Sequence, residues 1–238
     1  MSVTFDILQA ANRGMKTKGI PYQDHRLVCE TDSLLIVAMA DGLGSASHSD
    51  SGSRFACEET VRYFMRHFED EHSSSEICRT LASAWAARVK KLSSCVRDFS
   101  TTLSLLVVDK HRKHVLLGQL GDTMVAYRKD GDRATFVHVS DKEFINETCC
   151  LGNRFKISDF KFVDLYFDDT FDFMIATDGF ADEIVPEQLD GLFDYFKKKY
   201  GSMARKHRNY TLKKEIQEIM STKNSDDKTL VFGWRNLR

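Results

Sequence analysis

Leu34-Leu35-Ile36-Val37-Ala38-Met39-Ala40-Asp41-Gly42-Leu43-Gly44 is the stretch that decides the fold. An unbroken apolar run reads as a strand buried on both faces, because a strand with one wet face would alternate. The run ends on a carboxylate followed at once by glycine. Asp41 is thereby placed at the lip of a core. Gly42 lets the backbone turn away tightly, with its carbonyl free to point the same way.

The arrangement recurs along the chain. Phe173-Met174-Ile175-Ala176-Thr177-Asp178-Gly179 is a second apolar run ending in Asp-Gly, and Val115-Leu116-Leu117-Gly118-Gln119-Leu120-Gly121-Asp122 ends in Gly-Asp. Asp226-Asp227 has the opposite polarity, standing just before the strand-like Lys228-Thr229-Leu230-Val231-Phe232-Gly233-Trp234. A single Asp-Gly is ordinarily a turn. The chain holds its own control in Asp130-Gly131, which lies between two alternating segments and reads as a hairpin turn only. Acids gathered where several core strands surface suit a hard divalent cation instead, since Mg²⁺ and Mn²⁺ prefer oxygen ligands.

With 238 residues the chain can bury one sizeable core, and one domain over residues 1–238 is expected. A net charge of −1 gives no overall field towards nucleic acid or an anionic membrane, and neither is expected as a partner. No apolar stretch approaches a membrane span, and the N-terminus lacks a charged-then-apolar signal layout. The 6 cysteines show no CxxC spacing and mostly fall in apolar patterns, which reads as reduced core thiols in a cytoplasmic protein.

In chain order, residues 3–11 read as a strand, followed by a basic loop holding Arg13, Gly14, Lys16, Lys18 and Gly19. His25 to Cys29 is a strand with Asp24 at its edge, and Thr31-Asp32-Ser33 turns into the run ending at Asp41. A small-residue loop follows, in which His48 reads as solvated rather than as a ligand. Phe55, Val61, Phe64, Met65 and Phe68 then mark one helix, and Ile77, Leu81, Trp85, Val89, Leu92 and Val96 a second over residues 75–96. Strands are expected over 100–108, 115–120, 125–128 and 135–139, joined by short loops into an antiparallel meander. Residues 141–158 form a loop long enough to be functional, a short flap. After a strand over 160–167 and the run to Asp178, Pro186 opens a third helix and residues 205–220 end in a fourth. The basic cluster Lys197 to Lys199, Arg205 to Arg208 and Lys213-Lys214 reads as a solvated face before a docking face.

With the acids placed, the chain resembles the PP2C (PPM) family of metal-dependent Ser/Thr protein phosphatases, and within it the short bacterial-type subgroup. Tyr22-Gln23-Asp24, Asp41-Gly42-Leu43-Gly44, Gly121-Asp122, Thr177-Asp178-Gly179-Phe180-Ala181-Asp182 and Asp226-Asp227-Lys228-Thr229 carry the resemblance, in the family's order, over about residues 10–234. It implies an α+β fold, an α-β-β-α sandwich of two antiparallel sheets flanked by helix pairs. It also implies that Asp41, with the Gly42 carbonyl, bridges two Mn²⁺ or Mg²⁺ ions completed by Asp24 (through a water), Asp178 and Asp226. Asp122 and Asp182, with Asp178, would hold a third, weaker ion.

The implied activity is hydrolysis of phosphoserine or phosphothreonine in a phosphorylated protein, with a cognate Ser/Thr kinase as a candidate second partner. Two ions about 3.5–4 Å apart would activate a bridging water for in-line attack. Three positions depart from the pattern. Leu43 stands where many members carry histidine. Gly19 stands where a phosphate-gripping arginine is usual, leaving Lys18 or Arg13 as substitutes. Asp227 replaces an asparagine, and no ligand role is assigned to it. The missing arginine and histidine keep a rival open, a weak or inactive pseudophosphatase that binds phosphoproteins.

Overall fold

The computed structural model describes residues 3–14, 21–67, 73–138, 149–152, 155–220 and 226–236. Two antiparallel sheets lie face to face. One has the order β1 (Thr4–Asn12), β10 (Lys228–Asn236), β9 (Phe171–Ala176), β6 (Met124–Lys129) and β7 (Thr135–Phe136). The other runs β2 (Asp24–Glu30), β3 (Leu34–Asp41), β4 (Leu103–Asp109), β5 (His114–Leu120) and β8 (Lys161–Tyr166). Helices α1 (Ser49–His67) and α2 (Ser74–Val89) cover the second sheet, and α4 (Leu189–Gly201) and α5 (Arg205–Met220) the first. The expected α-β-β-α sandwich is the observed fold.

The doubly apolar strands have a direct cause. In β3, Leu35, Val37 and Met39 point between the sheets, where they meet Phe173, Ile175 and Val231. Leu34, Ile36, Ala38 and Ala40 point the other way, under Phe55, Phe64, Leu81 and Trp85 of the helices. β9 and β10 divide likewise, with Met174, Ala176, Leu230 and Phe232 turned towards Phe193, Phe196 and Leu212. Each central strand is thus dry on both faces.

Three expectations are corrected. The strands from 100 to 139 do not form one meander: β5 pairs with β4 and β8, whereas β6 pairs with β7 and β9 in the other sheet. The chain crosses between sheets at Gly121-Asp122, which carries Asp122 to the rim. The second helix stops at Val89, well short of residue 96, and a 3₁₀ turn (Val96–Phe99) leads the chain back towards β4. Leu92 is consequently 64% exposed, off the stripe to which its spacing assigned it. β7 is a two-residue strand, Thr135–Phe136. Asp130 and Gly131 both have positive φ (47° and 84°), as a turn matching the twist of a hairpin requires. Of the expected flap, 141–148 and 153–154 lie outside the described residues.

All 6 cysteines are free thiols: Cys57, Cys78 and Cys150 are buried, but Cys95 and Cys149 are exposed rather than packed. Part of the basic cluster is structural. Arg208 is buried against Asp6 at 2.9 Å, and Lys197 pairs with Asp172 at 3.0 Å.

Candidate metal centre

Strand polarity brings the acids to one end of the sandwich. β2 runs antiparallel to β3, so the start of one meets the end of the other, and Asp24 is the register partner of Asp41. β10 runs antiparallel to β9, with Leu230 opposite Ala176. The residues just before β10 therefore meet those just after β9. Asp178 opens a short helix there, α3 (Asp178–Ala181). Gly179 makes this meeting possible: a Cβ on it would stand 2.2 Å from the carbonyl oxygen of Asp227.

The outcome is a pocket of about 150 Å³ lined by Asp41, Gly42, Leu43, Gly44, Thr102, Asp122, Asp178, Asp226 and Asp227. No cationic side chain is among these lining residues. Asp41 is clamped through its main chain. Its N–H donates to Thr102 Oγ1 (2.8 Å), and its carbonyl accepts from Thr102 N–H (2.8 Å) and Thr101 Oγ1 (2.9 Å). Gly42 is held against α1, with the carbonyl oxygen of Ser49 only 2.6 Å from where a Cβ would stand.

Asp24 lies behind this pocket, 3% exposed. Its Oδ2 accepts from Thr177 Oγ1 (2.9 Å) and Thr229 Oγ1 (2.7 Å). Thr229 spends its proton there, so the Tyr22 hydroxyl donates to Thr229. Asp24 Oδ1 is buried with no donor facing it. The group within reach of Asp24 is the Asp41 carboxyl, which bonds only while one of the pair holds a proton.

Electrostatics reflect this crowding. Burial pushes Asp24 up to about 6 from 3.8, with Asp227's charge adding and the two threonine hydroxyls opposing. Burial, and then the charges of Asp24 and Asp178, hold Asp41 well above the usual carboxylate range. Asp178 is raised by burial and by Asp122 and Asp226, against a lowering hydrogen bond with Asp41. Among the described residues the pocket lining carries no positive charge, and its donors are hard oxygens. That combination fits Mg²⁺ or Mn²⁺. The acids line the pocket without closing on a point: among the described residues, no group of three or more His, Cys, Asp or Glu is drawn together as a finished metal cluster.

The expected residues divide accordingly. Asp41, Gly42, Asp122, Asp178 and Asp226 share the pocket, with Asp24 behind Asp41. Asp182 caps α3, exposed and not among the lining residues. Arg13 is exposed beside Gly14, and Lys18 lies outside the described residues.

Sequence reasoning missed Thr101, Thr102, Thr177 and Thr229 as the hydroxyls holding Asp41 and Asp24. In a strand, threonine reads first as a β-former. It also missed what Asp227 does. That side chain, 1% exposed, accepts from Gly14 N–H and Gln23 N–H, both at 2.9 Å, and so ties the segment before β2 to the site. Gln23 continues the tie, donating from Nε2 to Ser49 Oγ at 2.7 Å.

A family model described as Protein phosphatase 2C matches residues 13–221. No curated protein sequence matches the chain. Among solved structures, a bacterial serine phosphatase bearing a point mutation is similar, with a TM-score of 0.70, 15% identity and coverage of 98% of each chain. The catalytic domain of the serine/threonine phosphatase PstP, in complex with 2 manganese ions, has a TM-score of 0.64 at 17% identity, covering 98% of each chain. RsbX in complex with magnesium gives 0.64 at 16% identity, again over 98% of each. At such identities the likeness is one of fold.

Proposed function

The chain belongs to the protein phosphatase 2C family, and from that membership we propose that it hydrolyses phosphoserine or phosphothreonine esters of a phosphorylated protein with the help of divalent cations. The observation that carries this reading is the pocket that five aspartates line at the strand ends, Asp41, Asp122, Asp178, Asp226 and Asp227, with Asp24 buried at its back.

Asp41, Asp178, Asp226 and the Gly42 carbonyl would hold two ions, Mn²⁺ or Mg²⁺. Asp122, and Asp182 one turn beyond Asp178, would serve a third. Bound divalent cations lower the pKa of water and offset phosphoryl charge, which together supply the chemistry of such a hydrolysis. Two of the similar structures contain magnesium or manganese, which supports the choice of ion.

The chain's own residues do the positioning. Thr177 and Thr229 fix Asp24, and Thr101 and Thr102 fix the main chain of its register partner Asp41. Leu43 has no proton to give, so the departing alkoxide takes its proton from solvent. Arg13, next to the Gly14 N–H that holds Asp227, is the described candidate for gripping a phosphate beside the pocket.

A second reading, a module that binds phosphoproteins without turning them over, is favoured by Leu43, which stands in the pocket lining and has no proton to give. Hydrolysis of para-nitrophenyl phosphate and of a phosphothreonine peptide, with Mn²⁺, separates the two. Turnover that Asp41→Asn removes supports the enzyme. The loss should exceed the roughly 10–100-fold typical of losing a partner outside the ligand set. Absence of turnover with Mn²⁺ and equally with Mg²⁺, alongside retained phosphopeptide binding, overturns the enzyme in favour of the module.

A further inference from the structure

Lys228 is the first residue of β10, and strand alternation decides where it points. Thr229 turns to Asp24 inside the sandwich. Lys228 therefore shares the opposite face with Leu230, Phe232 and Trp234, which pack under the helices in the cluster that includes Phe180. That face calls for an apolar residue. A lysine stands there instead, 3% exposed, its Nζ donating to the main-chain carbonyl of Asp226 at 3.1 Å. The carboxylate of that same Asp226 lines the acidic pocket. Burial disfavours the ammonium, and the charges of Asp226, Glu183, Asp227 and Asp178 oppose that without cancelling it. A buried ammonium is costly unless acids face it, so packing alone does not account for the residue.

We propose that Lys228 is a fixed counter-cation of the acidic pocket: it steadies Asp226 and Asp178 when no metal is bound and weakens, by like-charge repulsion, the grip of the pocket on divalent cations. The inference rests on the reading of the pocket as a cation site. Lys228 does not line the pocket and touches no reacting atom, so it acts as a positioning residue through Asp226. Its consequence is a centre that loads in proportion to the supply of cation rather than holding ions permanently.

The test is calorimetric titration of Mn²⁺ into the metal-free full chain, as wild type, K228R, K228M and K228Q, with metal-free melting temperatures alongside. Removing the unit positive charge held on the Asp226 carbonyl should tighten Mn²⁺ binding by roughly tenfold in both K228M and K228Q. K228R, which keeps the charge, should stay near the wild-type affinity. K228Q keeps a donor for the Asp226 carbonyl without the charge, and so still answers the question if K228M does not fold. The metal-free melting temperature of K228Q should fall, and saturating Mn²⁺ should close that gap.

Equal or weaker Mn²⁺ binding by K228Q overturns the proposal and leaves Lys228 a structural residue, with the cation site itself intact. Absence of Mn²⁺ binding by the wild type overturns the cation site, and this proposal with it.

Discussion

Asp24 and Asp41 stand opposite each other as register partners across β2 and β3, two carboxylates with no ammonium or guanidinium among the residues lining the pocket in front of them. Burial pushes Asp24 from 3.8 up to about 6 and holds Asp41 well above its ordinary range. The folded-state value lies above the unfolded one. The stability contributed by the shared proton is therefore fully present below about 3.8 and is lost as pH rises through about 6. Without metal, the pair should cost on the order of 1–3 kcal/mol by neutral pH. The metal-free melting temperature of Asp24→Asn should match the wild type near pH 4 and exceed it at pH 7. A difference between the two that does not change with pH would refute this account.

Divalent cations should reverse that penalty. A ligand at a hundred times its dissociation constant adds about 2.7 kcal/mol. For a chain of this size, each kcal/mol raises the melting temperature by about 2–4 °C. Saturating Mn²⁺ or Mg²⁺ should thus raise it by several degrees at pH 7 and by much less at pH 4.5, where protons compete for the same oxygens. Asp41→Asn should abolish the rise. An identical rise in wild type and Asp41→Asn, followed by scanning fluorimetry, would place the cation elsewhere.

Much of this arrangement is legible in the chain because dryness on both faces leaves an unbroken apolar run, and the acid ending each run marks the rim. What is not legible depends on distant partners. Nothing local in Val115 to Lys129 says that β5 and β6 belong to different sheets; that follows from β8 and β9, which arrive some 40 residues later to pair with them. The stripe through Leu92 and Val96 continues in sequence after the helix has ended at Val89. Asp227 looks like a changed ligand, but its two oxygens are taken by the N–H groups of Gly14 and Gln23 from the far end of the chain.

The threonine cradle gives a third expectation. Thr229 Oγ1 donates to Asp24 and accepts from Tyr22, and the Thr229 N–H donates to Thr177 Oγ1 at 3.0 Å. Thr229→Val keeps shape and main chain but leaves a buried carboxylate oxygen with one donor fewer. The cost should be about 1–3 kcal/mol in stability. Cation affinity should fall by roughly 10–100-fold, the usual effect of losing a partner outside the ligand set. Thr229→Ser, which keeps the hydroxyl, should recover most of the affinity. If Thr229→Val binds Mn²⁺ as tightly as Thr229→Ser, the hydroxyl does not orient Asp24 for cations.

The last expectation sets helix propensity against steric fit at two glycines. Gly191 lies within α4 with nothing inside 4 Å of where a Cβ would stand. Alanine there should stabilise the chain by about 0.5–1 kcal/mol, since glycine loses the most backbone freedom on entering a helix. Gly179 also sits in a helix, α3, and propensity alone predicts the same gain. Its Cβ, however, would stand 2.2 Å from the Asp227 carbonyl oxygen and 3.3 Å from the Asp226 Cβ. Neither neighbour is the loose end of a flexible side chain: Asp227 is pinned by two N–H donors, and the Asp226 carbonyl accepts from Lys228. Gly179→Ala must therefore push α3 away from the start of β10, at a cost of about 1–3 kcal/mol. The same displacement parts Asp178 from Asp226, so the Mn²⁺-induced rise in melting temperature should shrink in Gly179→Ala and persist in Gly191→Ala. Equal behaviour of the two variants would mean that the close approach of α3 to Asp227 is not what holds the two acids together.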